Sequence, residues 1–305
     1  MRSWISLALL TIVVAALGAW VYYKPEPVAN ATHALSTLSA SSVRRVRLER
    51  LPAQAAASPA EASVAAAEPA ATAATSIALE RSGEEWRLTA PLAARADPFQ
   101  VDRLLSILKA RSPVRYPATD LARYGLEQPQ ATLTVDEQTF SFGAINKTTR
   151  EQYVMTAGAV YPVALAYVAA LPRDADALLA RQLLAAGEIP VRFDLPEFTV
   201  ALEQGTWAVA PPAPALSADE RNAWVEAWRM ASAMSVARYR GAAPAQAVTV
   251  TLKDGRTLQL GILRREPELV LVRADEGVQY QFVPDVAKRL LSPPGAGRST
   301  DAAPR

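Results

Sequence analysis

The chain has 305 residues, 50% of them apolar, with 32 basic and 30 acidic side chains and a formal charge of +2. That is apolar material enough for two ordinary domains or one large one, and too little positive excess for duplex nucleic acid, so no nucleic-acid partner is expected. With no cysteine and a single histidine, His33, the sequence excludes disulfides, thiolate or multi-histidine metal sites, iron–sulfur clusters and cysteine nucleophiles; no catalytic residue, cofactor or metal ligand is assigned.

Trp4 to Tyr23 is an uncharged run of 20 residues between Arg2 and Lys24, long enough as a helix to cross roughly 30 Å of hydrocarbon. Trp4 at one end and Trp20, Tyr22 and Tyr23 at the other suit the two headgroup layers, so 1–23 reads as a membrane anchor with the lipid bilayer as its partner. A cleaved signal peptide is the alternative, with Ala16-Leu17-Gly18 supplying small residues. Arg2 and the α-amino group favour a cytoplasmic N-terminus and an exported bulk. Residues 24–42 read as a proline-punctuated juxtamembrane linker containing His33, and 52–75 as an alanine/proline loop that cannot pack a core.

Past these segments the sequence repeats. LERSGEEWRLTAP (79–91) recurs as ALEQGTWAVAPP (201–212), pairing Trp86 with Trp207 and Pro91 with Pro212. A helix follows in each copy, one with Val101, Leu104, Leu105 and Leu108 on one face, the other opened by Ser217 and burying Trp224 and Trp228. Two hairpins come next, matching Gly143 with Gly261 and Tyr161 with Tyr280, and each copy closes on a short helical run. Copy one carries the insertion ATDLARYGLEQP, in which Asp120 caps a helical turn, Gly125 supplies the left-handed stop and Leu126 packs back on Leu121; with Tyr124 these form a structural motif. The expected fold is α+β: two tandem repeats of antiparallel sheet plus one main helix each, preceded by a single N-terminal transmembrane helix. The expected boundaries are 43–172 for repeat 1, 173–188 for a connecting helix stopped at Gly187, 189–291 for repeat 2 and 292–305 for a disordered tail.

The tryptophan hairpin, the helix after it and the YGL-x-x-P segment (Tyr124, Gly125, Leu126, Pro129) carry a family resemblance. On these pieces the chain resembles a bacterial family known only as a domain of unknown function. That family occurs in single-span envelope proteins often encoded beside gliding-motility-type ABC transporter subunits. The resemblance implies a bacterial inner-membrane protein with its bulk in the periplasm and a membrane or envelope protein partner, such as transporter subunits. It supplies no catalytic residues.

Few other motifs carry chemistry. Ser106-Ile-Leu-Lys109 fits the S-x-x-K pattern of penicillin-recognising serine enzymes, but the companion motifs are missing and Lys109 falls on the polar side of its helix. Arg44, Arg45, Arg47 and Arg50 form the densest basic cluster; alternation places Arg45 and Arg47 on one face as candidates for partner contact, with a solvated edge strand as the plainer reading. The tryptophans read as core, with a glycan or peptide platform as the alternative. The function expected is a non-enzymatic scaffold or interaction region, accessory to a transporter or envelope complex. A cell-wall binding module is the alternative, and a Ser/Lys hydrolase a more distant one.

Overall fold

A computed structural model describes residues 32–50, 75–212 and 216–295. The run Trp4–Tyr23 with its four interface aromatics, most of the alanine/proline loop and the end of the tail lie outside the described residues. The first part holds β1 (His33–Ala34), β2 (Arg45–Arg50), β3 (Thr75–Ser82), β4 (Glu85–Ala90), β5 (Ala94–Arg95), α1 (Pro98–Leu105), β6 (Arg111–Ser112), β7 (Tyr116–Pro117), β8 (Ala131–Val135), β9 (Gln138–Asn146), β10 (Glu151–Thr156), β11 (Ala159–Ala164) and α2 (Leu165–Ala169). The second holds β12 (Pro190–Asp194), β13 (Thr199–Glu203), β14 (Thr206–Ala210), α3 (Ala218–Arg229), β15 (Ser235–Arg238), β16 (Ala247–Leu252), β17 (Thr257–Arg264), β18 (Leu269–Arg273), β19 (Val278–Phe282) and α4 (Pro284–Leu291).

The described residues are mostly β, 42% strand against 19% helix, which corrects the α+β expectation of a sheet plus one main helix per repeat. Three antiparallel sheets are present. One is the pair β1-β6, one has nine strands in the order β5-β4-β3-β2-β8-β9-β10-β11-β7, and one has eight in the order β14-β13-β12-β16-β17-β18-β19-β15. The nine-stranded sheet joins the four-strand meander β2-β3-β4-β5 antiparallel to the meander β8-β9-β10-β11, and the eight-stranded sheet joins the three-strand meander β12-β13-β14 to β16-β17-β18-β19; in each, the strand that precedes the second meander in the chain, β7 or β15, is added at its far edge. The β content rises because segments read as linker, helix or loop surrender their backbone groups to sheet edges, as β1, β5, β6, β7 and β15 do. Among the described residues no helix is long and apolar enough to cross a membrane, so the expected transmembrane helix has no counterpart among these elements.

Alternation builds the core. On β2 the burial runs exposed, buried, exposed, buried from Arg45 to Leu48. Leu48 lies opposite Leu133, which lies opposite Phe140. In the second sheet Phe193 pairs with Val250 and Val250 with Leu258. One contiguous cluster of buried side chains runs through both sheets, from Leu35 to Leu290, and includes Leu178, Leu179, Leu183 and Leu184 of the connection. Helix α1 starts on Asp97, whose Oδ1 accepts from Phe99 N at 2.9 Å, and it buries Val101, Leu104 and Leu105. Helix α3 starts on a complete capping box between Ser217 and Glu220.

Four local expectations change. The linker ends sooner than residue 42: Ala34 pairs with Arg111 and Leu35 is buried, so from Thr32 onward the chain is docked on the body. The connecting helix is a single 3₁₀ turn, Asp176–Leu178, followed by extended chain, and Gly187 has no positive φ. Strand β2 is interior, between β3 and β8, so the arginine cluster does not mark an edge. A bulge in β4, where Leu79 faces Leu88 but Ala78 faces Ala90, adds one residue to the first copy. Trp86 therefore matches Trp207, while the equivalent of Pro91 is Pro211, each preceded by a cis peptide bond.

Candidate functional site: the buried charge cluster at the junction

The connection between the sheets builds the site. Asp174 Oδ1 accepts from Ala177 N at 3.0 Å and opens the 3₁₀ turn. Beyond it Asp97 N donates to Leu178 O (2.8 Å), Ala180 N to Arg95 O (3.0 Å), Leu183 N to Ala231 O (2.9 Å) and Ala233 N to Arg181 O (2.9 Å). The extended connection is thus stitched to the residues before α1 and to those after α3. A helix would bury one stripe, whereas here Leu178, Leu179, Leu183 and Leu184 are all buried, on both sides of the ribbon.

Two buried guanidiniums converge on one carbonyl. Arg95 from β5 and Arg273 from the end of β18 both donate to Leu183 O, at 3.0 and 2.8 Å. Arg95 also holds Glu276, Nε to Oε1 at 2.6 Å and Nη2 to Oε2 at 3.2 Å, and its Nη2 donates to Tyr280 OH at 2.9 Å. Tyr280 Oη–H in turn donates to Glu276 Oε2 at 3.0 Å. Arg273 grips Glu188 in a two-pronged bond, Nη2 to Oε1 at 2.7 Å and Nη1 to Oε2 at 2.9 Å, and reaches Asp275 with Nε and Nη2. Glu188 Oε2 also accepts from Ala185 N at 2.7 Å.

The electrostatics follow from that geometry. Burial by itself would raise the Glu188 carboxyl, but the Arg273 fork and the Ala185 amide outweigh it and hold the group below the usual carboxylate range. Asp275 is lowered in the same way: Arg273 overcomes the effect of burial. Burial opposes charge on both arginines, yet Glu276 on one and Glu188 with Asp275 on the other keep them above their ordinary value. Burial pushes the Tyr280 hydroxyl up, with the Arg95 charge opposing. Glu188, Asp275 and the two arginines are therefore charged near neutrality and Tyr280 keeps its proton. Such a cluster repays its desolvation only when the partners are correctly placed. Its chemical capacity is to fix the placement of β5, the connection and the β18–β19 hairpin.

The residues singled out by sequence fall elsewhere. Trp86, Trp224 and Trp228 are buried and Trp207 is half-buried against the same core. Trp224 packs edge-on and Trp228 tilted against Phe193, and they donate to Ser292 O (2.8 Å) and Leu290 O (3.1 Å). Tyr124 and Leu126 form a second small cluster with Val160 on the outer face of the first sheet. Gly125 has φ +64, and its N–H and that of Leu126 close the turn on Ala122 O and Leu121 O. Asp120 makes no side-chain cap and is itself left-handed, at φ 53. Gly143 lets that turn approach, since a Cβ there would stand 2.3 Å from Tyr124 O; at Gly261 it would stand 2.7 Å from the Pro244 ring. Arg45 and Arg47 are exposed, Arg47 Nε lying 3.5 Å from Glu49 Oε1. Arg45 lines a cleft of about 750 Å³ with Arg44, Asp136 and Gln138. Ser106 ends α1 half-buried, and Lys109 is exposed on the 3₁₀ turn after it.

The junction residues were missed. Arg95 and Glu276 are 181 positions apart, and each sits in a segment that reads locally as a strand exit or a turn. The signal available was Tyr280 in an inward position beside a strand that ends at Arg273 and a turn that carries Asp275 and Glu276. Residues 86–214 match the model of a domain of unknown function (DUF4340). The DUF4340 stretch is less than half of the 305 residues. It runs from β4 to just beyond β14, so it holds Arg95, the whole connection and Glu188, while Arg273, Glu276 and Tyr280 lie outside it. No curated protein and no solved structure matches the chain.

Proposed function

We propose that this chain is a non-enzymatic interaction unit of the bacterial cell envelope, an accessory to a membrane or envelope protein such as the subunits of an ABC-type transporter. The apolar run Trp4–Tyr23 supports delivery to the inner membrane and display of the body on the periplasmic side. The observation that carries the proposal is the junction. The buried ionisable groups there are engaged with each other and with Leu183 O in one frame that joins the two sheets, and a preorganised body of that kind lowers the ordering cost of holding a partner. The glycan-platform alternative loses its rings, because Trp224 and Trp228 are core residues. Crosslinking in intact cells followed by affinity purification of the full chain is expected to recover one recurring membrane or envelope protein. Recovery of the chain alone in repeated preparations overturns the proposal.

A further inference from the structure

Two segments free of acidic residues meet where the chain enters the body. Residues 27–48 carry Arg44, Arg45 and Arg47 and no Asp or Glu; residues 103–119 carry Arg103, Lys109, Arg111 and Arg115 and no Asp or Glu. They are joined by the β1–β6 pair, where His33 lies opposite Ser112 and Ala34 opposite Arg111, by Leu35 N donating to Ala110 O, and by Arg111 Nη1 donating to Thr32 Oγ1 at 3.2 Å. Lys109, Arg111 and Arg115 are exposed. Between the last two, Ser112 Oγ donates to Val114 O and accepts from Val114 N, which sets a tight turn that leaves the Val114 side chain 38% exposed. From Thr32 the chain runs on to Thr37 and Leu38, which line the cleft with Arg44 and Arg45. Asp136 and Glu137 also line that cleft, but the Asp136 carboxylate is occupied by the Arg44 and Arg45 amides.

We infer that this face, centred on Lys109, Arg111, Val114 and Arg115, binds the anionic headgroup layer of a phospholipid membrane. The argument is one of charge and reach. Three exposed cations and one exposed apolar side chain within residues 109–115 suit a negatively charged interface, where each Lys or Arg near the surface adds its own attraction and the apolar side chain enters between headgroups. Only residues 24–31 separate Tyr23 from the first docked residue, Thr32, and eight residues span at most about 28 Å. The Arg111 face, which holds Thr32 directly, is therefore the part of the body kept nearest whatever surface receives the apolar run. The inference rests on the membrane-side reading given above and adds to it which face meets the lipid.

The absence of native cysteine makes the test direct. The full chain with Val114→Cys carries a unique thiol, which is labelled with an environment-sensitive fluorophore and presented to liposomes of phosphatidylcholine alone or with phosphatidylglycerol. The inference expects a blue shift and quenching by brominated lipid only with the anionic vesicles. Both should be lost at high salt, and the apparent affinity should weaken on the order of tenfold or more in Lys109→Gln/Arg111→Gln/Arg115→Gln. Salt dependence in the chain with all three cations keeps the test valid if the triple variant fails to fold. Equal signals with both lipids, or none with either, overturn it. So does a photocrosslinker at position 114 that yields a protein adduct in place of lipid in native membranes, a result that leaves the protein-partner proposal standing. Failure to recover a protein partner while the lipid signal persists separates the two ideas the other way.

Discussion

Arg95 of the first sheet and Glu276 of the second close a 2.6 Å buried ion pair across 181 residues of sequence. Tyr280 and the Leu183 carbonyl complete the coordination of Arg95. Truncating Arg95 leaves the buried Glu276 with only the Tyr280 hydroxyl and the more distant Arg273 guanidinium, at 3.8 Å, to compensate its charge. Arg95→Ala should therefore lose about 3–5 kcal/mol of stability, measured by urea unfolding. The paired replacement Arg95→Met with Glu276→Leu should lose much less, because no orphan charge remains.

Glu188 and Asp275 at the junction contribute to the acid limb of stability, beside Asp194 and Asp254, which Arg192 and Arg256 hold low elsewhere. Both junction carboxyls are held below their ordinary values in the folded chain, so the unfolded state binds more protons as the solution is acidified. Their contribution is complete above the unfolded carboxylate range, near pH 4, and drains away as the pH falls through the lower folded values. Urea midpoints should be flat from about pH 7 to 5 and fall steeply below about pH 4. Glu188→Gln should flatten part of that fall; an unchanged acid slope in the variant would remove Glu188 as a contributor.

Gly143 and Gly261 serve one purpose with different tolerances. A methyl at residue 143 would meet the Tyr124 carbonyl, which is backbone, while at 261 it would meet the Pro244 ring. Gly143→Ala should destabilise by about 1–3 kcal/mol and Gly261→Ala by less, compared by thermal melting of the two variants side by side.

Trp228 is fully buried against Phe193 and Trp224 and has its indole N–H satisfied by Leu290 O. Trp228→Ala should cost about 3–5 kcal/mol. A loss below about 1 kcal/mol would revive its reading as a surface ring.

How far the sequence could be read depended on the range of the signal. Period-two alternation on β2, β8 and β16 and the cap at Ser217 are local, and they appear where their residues predict. The fold class failed because short edge strands such as β5 and β6 have two residues each, too few for any periodicity. They exist only because a distant strand offers free backbone groups. The connection 173–188 failed for a related reason: its run of Leu and Ala has strong helix propensity, but hydrogen bonds to Arg95 O, Ala231 O and Asp97 N override it. The charge cluster left only the local trace of Tyr280 beside Arg273, Asp275 and Glu276, since a pair 181 residues apart has no spacing rule.

The central claim is that the junction makes the two sheets one mechanical unit, and two-probe equilibrium unfolding tests it most directly. A fluorophore on Glu203→Cys reports the second part and, in a separate preparation, one on Glu137→Cys reports the first, each thiol being unique in a chain without cysteine. Coincident urea midpoints for the two probes in the otherwise unaltered chain, separating in Arg95→Ala, are the predicted result. Midpoints already separate with Arg95 and Glu276 intact would contradict the account.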